Sequence, residues 1–507
     1  MYVKNIIRRV LAVLPAVLLQ LVWFGILFTW LAPWAAAIDL ILSILAFLFV
    51  LYLVTKQDEG TYKILWLLVI LTAPLSGAVL YLLFGNKRTT RPLKKRLEQV
   101  ALPPLQEDGA RQAYEAIEAN DRRMAQTFRY IQNTTGFAPC VNAQADYFPL
   151  GDDLFPAMLE EMKKAEKFIF AEYFIVENGL MWDSMVEIMA EKAAQGVDVR
   201  VMYDDLGSIA TYSKESVRCL KKKGIRCIAF NPLTFIHGTL NYRDHRKMLI
   251  IDGKTAFSGG INLADEYINH VEKFGHWKDI GFRLTGPGVD NYTRMFTEFW
   301  NAFSADPIPE ELLAGIPQTV AEQEDGYILS YYDSPLRTRT ASNELYIELL
   351  SQAKDYAWFF TPYLMLGDAL TDAFVRAARR GVDVRIIMPG VPDKKLVFRM
   401  SHSYYAILLA AGVKICEYTP GFVHAKGCVV DDVVGTVGTV NLDYRSLFLH
   451  FENNSVFYRA SLLKALKADF LNTQAKCREM KLGENVKITS FWHWLLDGIL
   501  RIFAPLC

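Results

Sequence analysis

Two segments of this chain place a lysine two residues after a histidine and an aspartate five residues further on: His245-Arg-Lys247-Met-Leu-Ile-Ile-Asp252 and His424-Ala-Lys426-Gly-Cys-Val-Val-Asp431. A single match of this kind arises by chance in roughly a few chains per hundred of this length. The surroundings repeat as well. Asn262 lies seventeen residues after His245 and Asn441 seventeen after His424, with Gly259-Gly260 ahead of the first asparagine and Gly438-Thr439 ahead of the second. Two imidazoles and two ammonium groups suit attack on a phosphodiester. One imidazole can attack phosphorus near neutral pH while its protonated twin donates to the leaving alkoxide. The lysines supply positive charge for the non-bridging oxygens, so no metal ion and no cofactor is required. No His/Cys/Asp cluster has metal-ligand spacing.

In His-x-Lys both side chains point to one side of a β-strand, because side chains alternate with period two. The apolar run that follows each lysine reads as the buried continuation of that strand, with Asp252 and Asp431 at its end before a turn. These two aspartates are site candidates, with turn capping as the alternative. A nucleophilic histidine also needs an acceptor that holds its ring and fixes its tautomer. Glu452, twenty-eight residues after His424, and Asp279, thirty-four after His245, are the candidates, one in each copy. Asn262 and Asn441 join them as supporting residues.

The internal similarity extends beyond the motif. Gly196-Val-Asp-Val-Arg200 matches Gly381-Val-Asp-Val-Arg385, and Gly224-Ile-Arg-Cys227 matches Gly412-Val-Lys-Ile415. In each copy a helix ending in glycine leads into an apolar strand, the order of βαβ units. Two α/β units carrying one half-site each are expected to pack face to face and bring the histidines together. The segments read as membrane-anchoring helices over 1–86, a polar helical linker over 87–140, a first α/β repeat over 141–310, a linker over 311–330, a second repeat over 331–480 and an amphipathic tail over 481–507.

These residues strongly resemble the phospholipase D superfamily, and within it the bacterial cardiolipin synthases. The likeness rests on the paired motifs, on Asn241-Tyr-Arg243, His276-Trp-Lys-Asp279, Thr361-Pro-Tyr363 and Asn441-Leu-Asp443-Tyr-Arg445-Ser446, and on the stretch from Trp66 to Gly85. It implies two α/β sandwich repeats forming one active site at a pseudo-twofold axis, preceded by a transmembrane helical region. It also implies His245, Lys247, Asp252, His424, Lys426 and Asp431 as functional positions, and transfer of a phosphatidyl group between two phosphatidylglycerol molecules. Thr439 stands where the family more often has serine, and Asp279 where glutamate is more usual. A hydrolase releasing phosphatidic acid and a non-catalytic membrane scaffold are the alternatives.

Fifty-five basic and fifty-five acidic residues leave no net charge, which argues against nucleic acid as a partner. Seven scattered cysteines without Cys-x-x-Cys fit a reduced, cytoplasmic setting. Three apolar stretches, 10–32, 35–54 and 64–84, approach the roughly 20 residues of a membrane-spanning helix. Together they predict a multi-pass protein of the cell membrane acting on phosphatidylglycerol among anionic lipid. Lys87, Arg88, Arg91, Lys94, Lys95 and Arg96 place the catalytic part on the cytoplasmic side. Lys4, Arg8 and Arg9 want the amino terminus on that side too, which a count of three spans does not satisfy. In the tail, Phe491, Trp492, Trp494 and Leu495 read as a membrane-interface helix or as a helix packed on the body.

Overall fold

The computed structural model describes residues 34–504 apart from 57–58, 86–90, 103–106, 142, 233–240, 315–324, 338, 484–496 and 499, together with isolated positions between 18 and 26. Its centre is a pair of mixed β-sheets. The first contains β1 (Gln144–Phe148), β2 (Phe168–Tyr173), β3 (Asp198–Asp204), β4 (Arg226–Phe230), β5 (Met248–Ile251), β6 (Thr255–Gly259) and β8 (Gly281–Thr285), in the spatial order β1-β8-β6-β5-β2-β3-β4. Between them in sequence lies β7 (His276–Lys278). The second half supplies β9 (Tyr327–Asp333), β10 (Tyr356–Phe360), β11 (Asp383–Pro389), β12 (Lys414–Tyr418), β13 (Gly421–Val423), β14 (Gly427–Val430), β15 (Val434–Gly438), β16 (Glu452–Tyr458) and β17 (Cys477–Glu479). All but β13 form the second sheet, in the order β17-β12-β11-β10-β14-β15-β16-β9. Apart from the extra edge strand β17, the second order repeats the first.

In each half three strands run parallel, joined by helical crossovers, and the strand after the His-x-Lys motif inserts antiparallel beside the first of them. Period-two alternation divides the first sheet between two cores. Ile169, Ala171, Val199, Val201, Leu249 and Ile251 face the helices Gly151–Lys163 and Leu180–Ala194. Phe168, Phe170, Met202, Met248 and Ile250 face the second repeat. The helix Val289–Phe303 fills the space between the repeats, with Phe296 stacked on Phe170 at 4.7 Å and Phe299 edge-on to Phe451 at 5.1 Å. Strands buried on both faces explain why the motif runs are uniformly apolar rather than alternating.

The segment expected as a linker is part of this body. Its helix Arg122–Thr135 begins with Asp121, whose carboxylate accepts from the backbone N–H groups of Arg123 and Met124, and it buries Phe128 and Ile131 completely. At the carboxyl end, Leu500 and Ala504 are buried and Asp497 accepts from Arg399 at 2.8 Å. The described part of the tail therefore packs on the protein, while residues 484–496 lie outside the described region.

The amino-terminal region departs from the expectation. Among the described residues no helix is long and apolar enough to cross a membrane, so the transmembrane part of the fold reading has no support. The first apolar stretch falls mostly outside the described residues. The third is two helices, Gly60–Thr72 and Pro74–Leu80, with Ala73 between them at φ −145° and ψ 77°. Pro74 denies Ala73 a helical backbone, so the chain folds back on itself. The turn is tight at Gly77, where a Cβ would lie 2.6 Å from the Val69 carbonyl oxygen. The helix Ala35–Thr55 packs on this hairpin through Ala46 and Leu53, and Lys56 donates to the Tyr81 hydroxyl at 2.7 Å. Many of its other described apolar side chains, among them Leu40, Ile41, Phe47, Leu48 and Leu51, are exposed, while Phe49 and Tyr52 pack partly against the hairpin.

The motif aspartates hold the strands and stand apart from the histidines. Asp252, at φ 55°, ends β5 and accepts from the backbone N–H groups of Glu166, Lys167 and Phe168, each at 2.8 Å. Asp431, at φ 53°, does the same for Lys354, Asp355 and Tyr356 at 2.7–2.9 Å. Each carboxylate thus caps the entry to the neighbouring parallel strand, with about 13 Å of strand between it and its lysine. Asp252→Ala or Asp431→Ala strands three N–H groups and is expected to lower stability by about 3 kcal/mol. Thermal unfolding checks this, and phosphodiester binding by the folded fraction should stay within about twofold.

Candidate active site

The half-sites meet through backbone before they meet through side chains. β7 and β13 form a parallel two-stranded ladder between the repeats, pairing Trp277 with Phe422 and Lys278 with Val423. Across the pseudo-twofold axis Asp244 pairs with Phe451 in the same sense. The His424 N–H donates to the Lys278 carbonyl at 2.7 Å, and the His245 N–H to the Phe451 carbonyl at 2.9 Å. Each motif histidine is therefore docked on the residue that precedes the other repeat's acid.

That docking crosses the carboxylates. His245 Nδ1 lies 2.9 Å from both oxygens of Glu452, and His424 Nδ1 lies 2.6 Å from Oδ2 of Asp279. Sequence offsets placed one candidate acid in each copy without deciding which histidine it serves. The structure pairs each acid with the histidine of the other repeat, because the side chain after the ladder residue points across the interface. A carboxylate accepts, so each Nδ1 carries the proton and each Nε2 keeps its lone pair for chemistry.

The lysine ammonium groups turn back on the main chain, Lys247 to the His245 carbonyl at 2.5 Å and Lys426 to the His424 carbonyl. Both are almost fully buried, and burial pushes Lys247 down to about 8 and Lys426 to about 7. Burial also holds His245 well below its ordinary value, with Lys247, Lys426, His450 and His424 adding to the effect. His424 is lowered to about 4 by burial and by Lys426, against the pull of Asp279. Glu452 is raised well above the usual carboxyl range by burial, against Lys247 and the two hydroxyls that donate to it. The mutual influence of these groups places both histidines and both lysines in one water-poor, cationic enclosure, suited to a phosphate monoanion.

The two halves are braced differently. Glu452 accepts from Thr439 Oγ1 at 2.5 Å and from Ser446 Oγ at 2.6 Å. At the position of Thr439 the first repeat has Gly260, where a Cβ would collide with the Asp279 carboxylate. Asn453 accepts from the Lys247 N–H at 3.1 Å and donates to Ser258, which in turn donates to the Lys247 carbonyl. Arg246, between His245 and Lys247, points the opposite way. Its guanidinium lies 3.4 Å from the Phe299 ring centre and pairs with Asp244 and Glu172. Phe174 and His450 flank His245 at 4.8 and 6.3 Å between ring centres, and Tyr267 and Trp277 flank His424 at 5.2 and 5.5 Å.

Of the residues singled out by sequence, His245, Lys247, His424, Lys426, Asp279 and Glu452 converge. Asn262 accepts from the Ile175 N–H at 3.1 Å and donates to the Tyr267 hydroxyl at 2.7 Å, so it reaches the site through Tyr267. Asn441 lies beside Asp443 with its carbonyl oxygen buried. Sequence reasoning missed the parts played by Ser446, Asn453 and Arg246. Ser446 closes a segment already noted and Asn453 follows Glu452 directly, but only the folded interface shows what they touch.

The model of the "Cardiolipin synthase, PLD-like domain" family matches residues 158–300 and 346–473, and that of the "Phospholipase_D-nuclease N-terminal" family matches 41–86. The chain is 43% identical over 467 residues to an uncharacterized protein of Streptococcus mutans, covering 90% of this chain and 99% of that one. It is 31% identical to the cardiolipin synthase of Alkalihalophilus pseudofirmus, over 89% and 90% of the two chains. It is 34% identical to that of Geobacillus thermodenitrificans, over 85% of each. Among solved structures, the phosphatidylserine synthase of Haemophilus influenzae shares the fold at 17% identity, with a TM-score of 0.54 over 75% of this chain and 97% of that one. The duplicated α/β architecture, the crossed histidine–carboxylate pairs and these likenesses together show that the chain belongs to the bacterial cardiolipin synthase family of phospholipase D-like phosphatidyltransferases.

Proposed function

We propose that the protein transfers a phosphatidyl group from one phosphatidylglycerol to another, giving cardiolipin and glycerol. The observation that carries this reading is the pairing of each His-x-Lys with the opposite repeat's carboxylate inside one buried cationic site. In the first step His245 Nε2 attacks phosphorus, the bond from phosphorus to the glycerol oxygen breaks, and His424 as imidazolium gives that oxygen its proton. In the second step His424, now neutral, takes the proton from a hydroxyl of the second phosphatidylglycerol. That oxygen attacks phosphorus and the bond to His245 breaks. Lys247 and Lys426 offset the charge of the non-bridging oxygens in both steps. The substrate's negative charge favours the imidazolium form of His424 that the empty site disfavours.

His245 takes the nucleophile's part in this reading because its carboxylate partner is the more heavily braced, receiving two hydroxyls besides the ring. Water exclusion favours an alcohol over water as acceptor. The exposed apolar side chains of the helix Ala35–Thr55 support contact with a lipid surface, where acceptor lipid is concentrated. Lys87, Arg88, Arg91, Lys94, Lys95 and Arg96, after the apolar stretch 64–84, support a cytoplasmic position for the catalytic part. A membrane-bound hydrolase releasing phosphatidic acid is the second reading, favoured by the same site should water enter.

Two measurements test the mechanism. His245→Ala and His424→Ala are each expected to lower cardiolipin formation in phosphatidylglycerol vesicles, without CTP, CDP-lipid or added metal, by at least about 10³-fold, with normal thermal unfolding. Lipid mass spectrometry reads the products, and full activity in either variant would sink the mechanism. The second concerns pH. The empty site loses its lysine protons through about 7 and 8, whereas a bound phosphodiester keeps them on. Binding of the soluble headgroup glycerophosphoglycerol should therefore weaken by roughly tenfold between pH 7 and 9, with net proton uptake seen calorimetrically in buffers of different ionisation enthalpy. A flat profile over that range contradicts the depressed lysines.

A further inference from the structure

The two repeats together place a one-sided group of hydroxyl-binding side chains next to His424, Tyr267 from the first and Tyr363 and Asp393 from the second. Tyr267 stands edge-on to the His424 ring at 5.2 Å, and its hydroxyl accepts from Asn262, which leaves its own proton to donate elsewhere. Tyr363 rides on the loop after β10. Its carbonyl accepts from Thr361 Oγ1 at 2.8 Å, and that same oxygen accepts from the Leu442 N–H at 3.0 Å, which ties the loop to the Asn441–Asp443 segment. Its hydroxyl donates to Asp393 Oδ2 at 2.5 Å, and its ring lies 6.4 Å from Phe422, itself 6.0 Å from His424. Burial and then Asp393 raise the Tyr363 hydroxyl, and Asp393 is also among the groups that raise Tyr267, so one carboxylate addresses both phenols. Lys394, beside it and 65% exposed, opens this corner to the surface.

A second observation comes from Asn441. Among the described residues its carbonyl oxygen is buried without a hydrogen-bond partner, its amide being used on Asp443. The equivalent Asn262 has both ends engaged, its oxygen on the Ile175 N–H. Tyr363 occupies the place of Ile175 in the second repeat. A buried acceptor without a donor is rare in folded proteins and points to a ligand O–H or N–H.

Resting on the transfer reading above, we propose that Asp393, Tyr363, Tyr267 and the Asn441 carbonyl form the subsite for the free glycerol hydroxyls of the headgroup, and so select a polyol as the alcohol that attacks phosphorus. A vicinal diol presents two O–H donors to a carboxylate and an amide carbonyl, and accepts from a phenol. Its primary hydroxyl gives its proton to His424 Nε2 as its oxygen bonds to phosphorus and the His245–phosphorus bond breaks. An ammonium headgroup fits less well, because Lys394 lies 3.7 Å from Asp393 and two more lysines line the centre.

The test uses the full-length protein with phosphatidyl-p-nitrophenol, a donor whose leaving group carries no diol. Release of p-nitrophenol reports that the phosphatidyl-enzyme still forms, while glycerol, ethanol, ethanolamine and water compete for it. Asp393→Asn and Tyr363→Phe are each expected to lower the ratio of glycerol to ethanol transfer by about tenfold or more. An unchanged ratio overturns the subsite, and so does a larger loss for ethanolamine than for glycerol. A wild-type protein that releases p-nitrophenol but yields only phosphatidic acid instead refutes the transfer reading on which the subsite rests.

Discussion

Everything in this molecule turns on the crossing of two histidines onto two carboxylates that belong to the opposite repeat. Neither repeat holds a complete half-site alone. His245 needs Glu452, and His424 needs Asp279, and both bonds require the ladder of β7 with β13 and its counterpart at Asp244 and Phe451. The interface therefore cannot slip by one residue without turning both acids away from both rings. That requirement accounts for the weight of packing between the halves, from the stacking of Phe296 on Phe170 to the Arg246 guanidinium lying against Phe299.

The same crossing creates the electrostatic problem that the site exploits. Two lysines and two histidines are held almost without water, and an unpaired cation is costly there. The fold meets this by lowering proton affinity at Lys247, Lys426 and both histidines, and by turning the ammonium groups onto main-chain carbonyls. The two halves then differ in detail: hydroxyls brace Glu452, whereas Asp279 is packed against a glycine. A duplicated fold can divide two chemical roles only through differences of this kind.

Away from the site, pattern reading and structure part company where long-range contacts decide. The polar composition of residues 87–140 hid the fact that Phe128 and Ile131 are fully buried against the second repeat. The apolar stretch 64–84 is unbroken to a hydropathy count, yet the peptide before Pro74 and the small side of Gly77 fold it into a hairpin. Asp252 and Asp431 shared the motif's spacing without sharing its chemistry, since each spends its carboxylate on three backbone N–H groups.

The sequence by itself singled out the histidines, lysines and acids that the fold brings together, and the buried strands that follow the two motifs. Four apolar residues after each lysine specify a buried strand, and the histidine and lysine stand in the segment that leads into it, because residue type and the period of the strand are local properties. The duplication likewise announced two similar α/β units. Only the tertiary structure decided that each acid serves the other repeat's histidine, and that Thr439, Ser446 and Asn453 support one half while Gly260 serves the other. These facts depend on contacts between residues as far as 207 positions apart. No spacing along the chain encodes which of two equivalent partners will lie across the interface; the shape and packing of the two sheets settle it.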